Sequence, residues 1–153
     1  MALVDYLCHE AICLDLEPQE REDAVHALLA NLVDADRLES DLLERAMQAI
    51  LEREHLGSTA IGRGVAVPHA RVEGLGSILV AFGYSEEGVE FHALDGEPVH
   101  QMFLVIASKD RTEEYVAVME RITRLVQNDD FRRFAADTSE PQQVLNLIEE
   151  MDR

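Results

Sequence analysis

Tryptophan is missing from this chain of 153 residues, cysteine occurs twice, proline four times, and aromatic residues make up only 5%. The two cysteines, Cys8 and Cys13, lie five residues apart with no second pair. That spacing suits neither a zinc site nor a disulfide framework, so both are expected as small apolar thiols in or near the core. Basic residues are scarce as well: 13 Lys and Arg stand against 31 Asp and Glu, a net charge of −18. Nucleic acids and anionic membranes are bound by neutralising phosphates with basic side chains, so neither is expected as a partner. No apolar run approaches the roughly 20 residues of a membrane span. Met1 leads directly into polar, acidic sequence rather than into a basic-then-apolar leader. The expectation is a soluble, cytoplasmic protein without membrane insertion.

Familiar catalytic signatures are missing too. There is no Gly-x-Ser-x-Gly elbow. The histidines are His9, His26, His55, His69, His92 and His100, and none pairs at helical spacing beside a glutamate as in zinc hydrolases. No metal and no cofactor is expected. The segment from Gly57 to Gly64 nearly fits a phosphate-binding P-loop, but Arg63 and Gly64 stand where a lysine and a hydroxyl are needed. A helix-like segment also precedes it, where a P-loop follows a strand. Its glycines are read instead as permitting a tight turn and close backbone approach.

What is present describes a globular chain. Hydrophobic residues make up 47% and charged residues 29% of 17.2 kDa, enough for one domain over residues 1–153 with a real core. Leu3, Val4 and Leu7 suggest a short opening element, followed by a strand over 12–16. Pro18 with Glu20, Glu22 and Asp23 reads as a helix start, and Ala24, Val25, Leu28, Leu29 and Leu32 continue it at helical spacing. A second helix is expected over 40–54. Strands are expected over 65–67 and 77–84, with a further pair, 89–91 and 99–107, around the Asp95–Gly96 turn. The run 102–107 is almost wholly apolar, which predicts a central strand with helices on both faces of the sheet. Thr112 is the expected N-cap of a helix reaching residue 127, and two short helices follow, the last with Pro141 at its first position. The order gives an α/β fold, a sandwich with a mixed sheet. His92 and His100 are expected to flank a turn and could meet across it.

Charge is unevenly spread. Residues 1–56 hold 14 acidic and 4 basic side chains, whereas no acid lies between Glu54 and Glu73, an interval that contains Arg63 and Arg71. An anion finds its one welcoming place there. In the same interval an apolar strand stops at Pro68, which cannot donate to a sheet ladder, and His69 is expected at the strand's rim. An imidazole so placed serves as a nucleophile or proton carrier near neutral pH. Arg53, sixteen residues earlier, can fold back as a fixed cation.

The string Arg53, Glu54, Ser58, Thr59, Gly64, Val65, Ala66, Val67, Pro68, His69 resembles the signature of the fructose/mannitol-type enzyme IIA domains of the bacterial phosphotransferase system, nearest to their stand-alone nitrogen-regulatory form. Residues 93–99 (Ala-Leu-Asp-Gly-Glu-Pro-Val) and the apolar strand after them extend the likeness over essentially the whole chain. The resemblance implies a three-layer α/β/α sandwich. It implies that His69 accepts a phosphoryl group from an HPr-type phosphocarrier, that Arg53 lies beside it, and that the Ser58 or Thr59 hydroxyl helps hold the phosphoryl oxygens. Regulated protein partners are implied as well, and no metal is needed to hold a phosphohistidine. The family's second histidine, at the start of the helix after the long apolar strand, is aligned with Glu114, or with Glu113 or Tyr115 if the register slips by one. A carboxylate there would raise the pKa of His69 and repel phosphoryl oxygens. The rival expectation is therefore a degenerate binding module on the same fold, without efficient transfer.

Overall fold

The computed structural model of the protein describes residues 2–152. After 3-10 turns at Leu3–Tyr6 and His9–Ala11, the chain runs through a two-residue strand Ile12–Cys13 (β1), helix Arg21–Asp34 (α1) and, past a 3-10 turn, helix Leu43–His55 (α2). Five strands follow: Ala60–Gly62 (β2), Val65–Ala66 (β3), His69–Arg71 (β4), Ile78–Val89 (β5) and Val99–Ala107 (β6). Helices Thr112–Gln127 (α3), Asp129–Ala136 (α4) and Pro141–Met151 (α5) complete it. The sheet order is β1-β5-β6-β3-β2, with β4 also paired to β6. The β1–β5, β3–β6 and β4–β6 pairs are parallel, while β5–β6 and β2–β3 are antiparallel. This is the mixed sheet expected from sequence.

The apolar run of β6 lies in its middle, and alternate residues face opposite cores. Met102, Leu104 and Ile106 pack with Ala24, Leu28, Leu29 and Ile50 of α1 and α2. Phe103, Val105 and Ala107 pack with Val118, Ile122 and Phe131 of α3 and α4 and with Val144 and Ile148 of α5. Every side chain from Met102 to Ala107 is buried, so the strand has no solvent face and the apolar run is required by position. Phe82 and Phe103 meet edge to face at 5.0 Å between centroids. Such a pair adds about 1 kcal/mol beyond the burial of its area. Cys8 and Cys13 are half-buried against the first core, as expected.

Several local expectations are corrected. The strand expected over 77–84 runs on to Val89 as β5, with a register shift against β6 between Tyr84 and Val89, and of the strand expected over 89–91 only Val89 belongs to it. That irregularity interrupts the alternation that sequence reading relies on. The strand expected over 12–16 pairs only at Ile12 and Cys13. Strands β2 and β4 are additions that the sequence pattern does not announce. Thr112 does not cap α3: the N-cap is Arg111, which makes no side-chain capping bond, and the Thr112 hydroxyl accepts from Arg71 Nη2 at 2.7 Å. The last helix begins as expected, with Pro141 in the first turn and a reciprocal Glu140–Gln143 capping box.

Candidate functional site around His69

The site arises from a broken strand. Ala66 in β3 pairs with Met102 of β6, and His69 in β4 pairs with Val105, so both short strands lie on the same edge of β6. Between them, the Val67 amide turns away to donate to Thr59 O at 3.2 Å, and Pro68 contributes only its carbonyl, which accepts from Val105 N at 2.9 Å. Proline's missing N–H makes the gap. His69 is therefore not at the rim of an ended strand, as the sequence suggests, but the first residue of the resumed strand. Ala70 packs into the core shared with α1 and α2. Alternation turns its neighbours His69 and Arg71 towards α3, where the His69 ring faces Tyr115 and Arg71 reaches Thr112.

His69 Nδ1 lies 2.7 Å from the Val67 carbonyl oxygen. A carbonyl only accepts, so Nδ1 carries the proton and Nε2 keeps its lone pair. Burial pushes the pKa of His69 below the ordinary imidazole value, and the Arg53 guanidinium adds to the shift, while the Val67 hydrogen bond and the Glu54 carboxylate oppose it. The ring is thus neutral at pH 7 with one nucleophilic nitrogen. Beside it opens a depression of about 560 Å³, walled along α3 by Tyr115, Val116, Met119 and Glu120.

Arg53 sits half-buried in the last turn of α2, and its Nη1 donates to Gly57 O at 2.8 Å. That bond closes the turn leaving the helix. Its neighbour Glu54 is buried, accepts from the Thr59 amide at 3.3 Å and from the Thr59 hydroxyl, and meets Arg21 Nη1 of α1 at 3.5 Å. A buried carboxylate needs such partners to stay charged. Together these contacts tie residues 54–59 to α1 and fix the helix end from which the Arg53 charge acts on His69. Further on, Gly62, Arg63 and Gly64 all have positive φ, at 91°, 58° and 78°. This left-handed run joins β2 to β3 and explains the glycines on either side of Arg63.

The family model described as "Phosphoenolpyruvate-dependent sugar phosphotransferase system, EIIA 2" matches residues 5–151. The chain belongs to this family. It is 30% identical over 142 residues to the fructose-specific EIIA component of Haloferax volcanii, covering 93% of this chain and 91% of that one. It is 28% identical over 153 residues to the fructose-specific EIIABC component of Bacillus subtilis, where it covers all of this chain but spans only 24% of that larger protein. Its fold matches the crystal structure of the nitrogen regulatory protein IIA-Ntr from Neisseria meningitidis with a TM-score of 0.85 at 26% identity, covering 95% of this chain and 98% of that one. The α/β fold expected from sequence is thus that of known enzyme IIA proteins.

Within this enzyme IIA domain, the Arg53 charge acts on His69, while other expected site groups have partners of their own. The Ser58 hydroxyl donates to Phe91 O at 2.8 Å and accepts from the Ala60 amide at 3.1 Å, and the Thr59 hydroxyl donates to Glu54. Both are committed to holding the turn. Glu114 also departs from expectation. Its carboxylate accepts from the Tyr6 hydroxyl at 2.5 Å and from Arg111 Nη1 at 3.2 Å. Tyr6, then Arg111, holds that carboxyl below its ordinary pKa. Glu114 is not among the groups acting on His69, whose pKa moves down and not up. The group that faces His69 from α3 is Tyr115, with ring centroids 6.4 Å apart. Helical phase explains the slip: neighbouring residues diverge by about 100° around the axis, so one step of register exchanges the rim for the site. Arg71, in the sequence simply a base within an acid-free interval, acts electrostatically on Tyr115. His92 and His100 do not meet: His92 is exposed beside Glu90, and His100 Nδ1 bonds Ser85 O at 2.8 Å.

Proposed function

We propose that this enzyme IIA domain accepts a phosphoryl group on His69 Nε2 from an HPr-type phosphocarrier, and that its phosphorylation state regulates protein partners. The observation that carries this is the Nδ1 bond to Val67 O. It supports a neutral ring with a single free nitrogen, on a residue that lines a depression and feels the Arg53 charge. In the step, the Nε2 lone pair forms the bond to phosphorus while the bond from phosphorus to the donor atom breaks, its electron pair leaving with the donor. The Nδ1 proton stays on the ring, hydrogen-bonded to the Val67 carbonyl, so the ring's new positive charge is shared with a backbone dipole. Arg53 spends one nitrogen on Gly57 O and keeps further N–H groups for phosphoryl oxygens.

The likeness to IIA-Ntr supports a regulatory role. The feature favouring the rival reading of a non-transferring module is Glu114, and its carboxylate bonds Tyr6 and Arg111. No helix among the described residues is long and apolar enough to cross a membrane, and we take the cytoplasm as the compartment of transfer. The test is intact-mass analysis after incubation with phosphoenolpyruvate, enzyme I and HPr. One acid-labile, base-stable phosphoryl group per chain is expected in the parent and none in His69→Ala. Equal labelling of the two would sink the assignment.

A further inference from the structure

We propose that Tyr115 is a catalytic residue of the transfer, its hydroxyl donating a hydrogen bond to a phosphoryl oxygen as the group arrives on His69 Nε2 and while it is held there. The inference rests on the reading of His69 as the phosphoryl acceptor. Its geometric basis is the tilted packing of the two rings, 6.4 Å between centroids and 48° between planes. With Nδ1 pinned to Val67 O, an incoming group meets the imidazole from the depression that Tyr115 walls.

The hydroxyls near this site differ in whether they are committed. Ser58 donates to Phe91 O, Thr59 donates to Glu54, and the Thr112 hydroxyl takes up Arg71. The half-buried Tyr115 hydroxyl has no hydrogen-bond partner among the described residues. It is therefore free to donate to a ligand entering the depression. Arg71 from β4 and Arg53 from α2 both act on the phenol electrostatically, so an anion bridging the three groups meets two cations and one neutral donor. Such an arrangement matches a phosphoryl group, whose oxygens carry the charge.

A phenol also differs from an imidazole in how it answers pH. Burial raises the Tyr115 pKa above its ordinary 10.0, with Arg71 and Arg53 pulling the other way. The charged groups around the pair are Arg53 and Glu54 on α2, Arg71 on β4, and Glu120 and Arg124 on α3, with Glu114 directed to Tyr6. Across the range where His69 titrates, Tyr115 therefore remains a donor, and acceptance follows one ionisation.

The experiment is stopped-time phosphorylation of the full chain by phosphorylated HPr between pH 5 and 9. Parent, Tyr115→Phe and Tyr115→His are compared, with circular dichroism melts alongside. Losing one hydrogen bond to a charged group should slow Tyr115→Phe about tenfold at saturating HPr. The half-saturating HPr concentration and the pH of the His69 inflection should stay unchanged. Tyr115→His should recover part of the rate and add a second inflection, which a packing role would not produce. Hydrolysis of the isolated phosphoprotein should quicken in Tyr115→Phe. If the parent accepts phosphate and Tyr115→Phe matches it in rate and hydrolysis, this inference fails while the phosphosite stands. If Tyr115→Phe does not fold, a single inflection in Tyr115→His overturns it. If the parent accepts nothing, both readings fall.

Discussion

Two half-buried histidines on strands make the same local bond and have different fates. His69 Nδ1 meets Val67 O at 2.7 Å, and His100 Nδ1 meets Ser85 O at 2.8 Å. Each backbone carbonyl selects the tautomer with the other nitrogen unprotonated. Around His100 two glycines crowd the ring. A Cβ at Gly64 would lie 3.4 Å from its Cδ2, and one at Gly88 would lie 3.2 Å from its Cε1. Their missing side chains let the backbone approach that ring closely. Around His69 the corresponding space is a depression walled by Tyr115, and the Arg53 charge acts on the ring. Selecting a tautomer is a structural habit; chemistry depends on what the other nitrogen meets.

The sharpest break of this comparison exchanges the two for alanine. His100→Ala should keep one phosphoryl group per chain by intact mass, against none for His69→Ala. Its own cost is stability, about 1 kcal/mol from the lost bond to Ser85 O, read as a lower urea midpoint. Loss of labelling in a folded His100→Ala chain would mean that the two sites are coupled.

Next in size is Arg53→Lys. A lysine has one donor head and cannot hold Gly57 O and a phosphoryl oxygen in the geometry of a guanidinium fork. Phosphoryl acceptance should fall about tenfold, equivalent to ~1.4 kcal/mol, with the thermal melt within a few degrees of the parent. An unchanged rate would make Arg53 a helix-end residue that merely closes the turn.

A gentler probe is pH. His69 is shifted down from 6.5, chiefly by burial and then by Arg53. Acceptance should therefore persist below the pH at which a free imidazole is half protonated. Stability carries the matching sign. Below about pH 6.5 the unfolded chain binds this proton and the folded one resists it, so His69's contribution is present above 6.5 and lost as pH falls towards the folded value. Urea midpoints of parent and His69→Gln between pH 5 and 7.5 test this. The parent's midpoint should fall more steeply on acidification, and parallel curves would contradict the assignment.

The smallest expected effect is at Glu114. Because its carboxylate serves Tyr6 and Arg111, Glu114→Gln should change acceptance less than twofold. The Tyr6 phenol, held up at about 12 by burial first and Glu114 second, should then titrate closer to 10.0 in an ultraviolet pH titration. A large rate change would return Glu114 to the site.

Periodic and punctuating residues are legible in the sequence by itself. The apolar run 102–107 declares a strand buried on both faces, since only such a strand needs every side chain apolar. The helical spacing from Ala24 to Leu32, the Pro141 start and the Pro68–His69 junction are of the same kind, because the cause lies within a few residues. Arg53 joins His69 through a motif resemblance, whose spacing carries tertiary information that local propensity lacks. What only the tertiary structure decided depends on partners distant in sequence. Strand β4 exists because β6 offers it a ladder thirty-six residues away at Val105. Ser58 is committed because Phe91 O, thirty-three residues on, accepts its proton. Tyr115, not Glu114, meets His69 because the docking of α3 sets its rotation, and Tyr6 claims the carboxylate from 108 residues away. Residue types and their spacing gave the expectation that a histidine and an arginine serve an anion. Which hydroxyl is left unpaired beside them is fixed by hydrogen bonds that close only when the helices pack on the sheet.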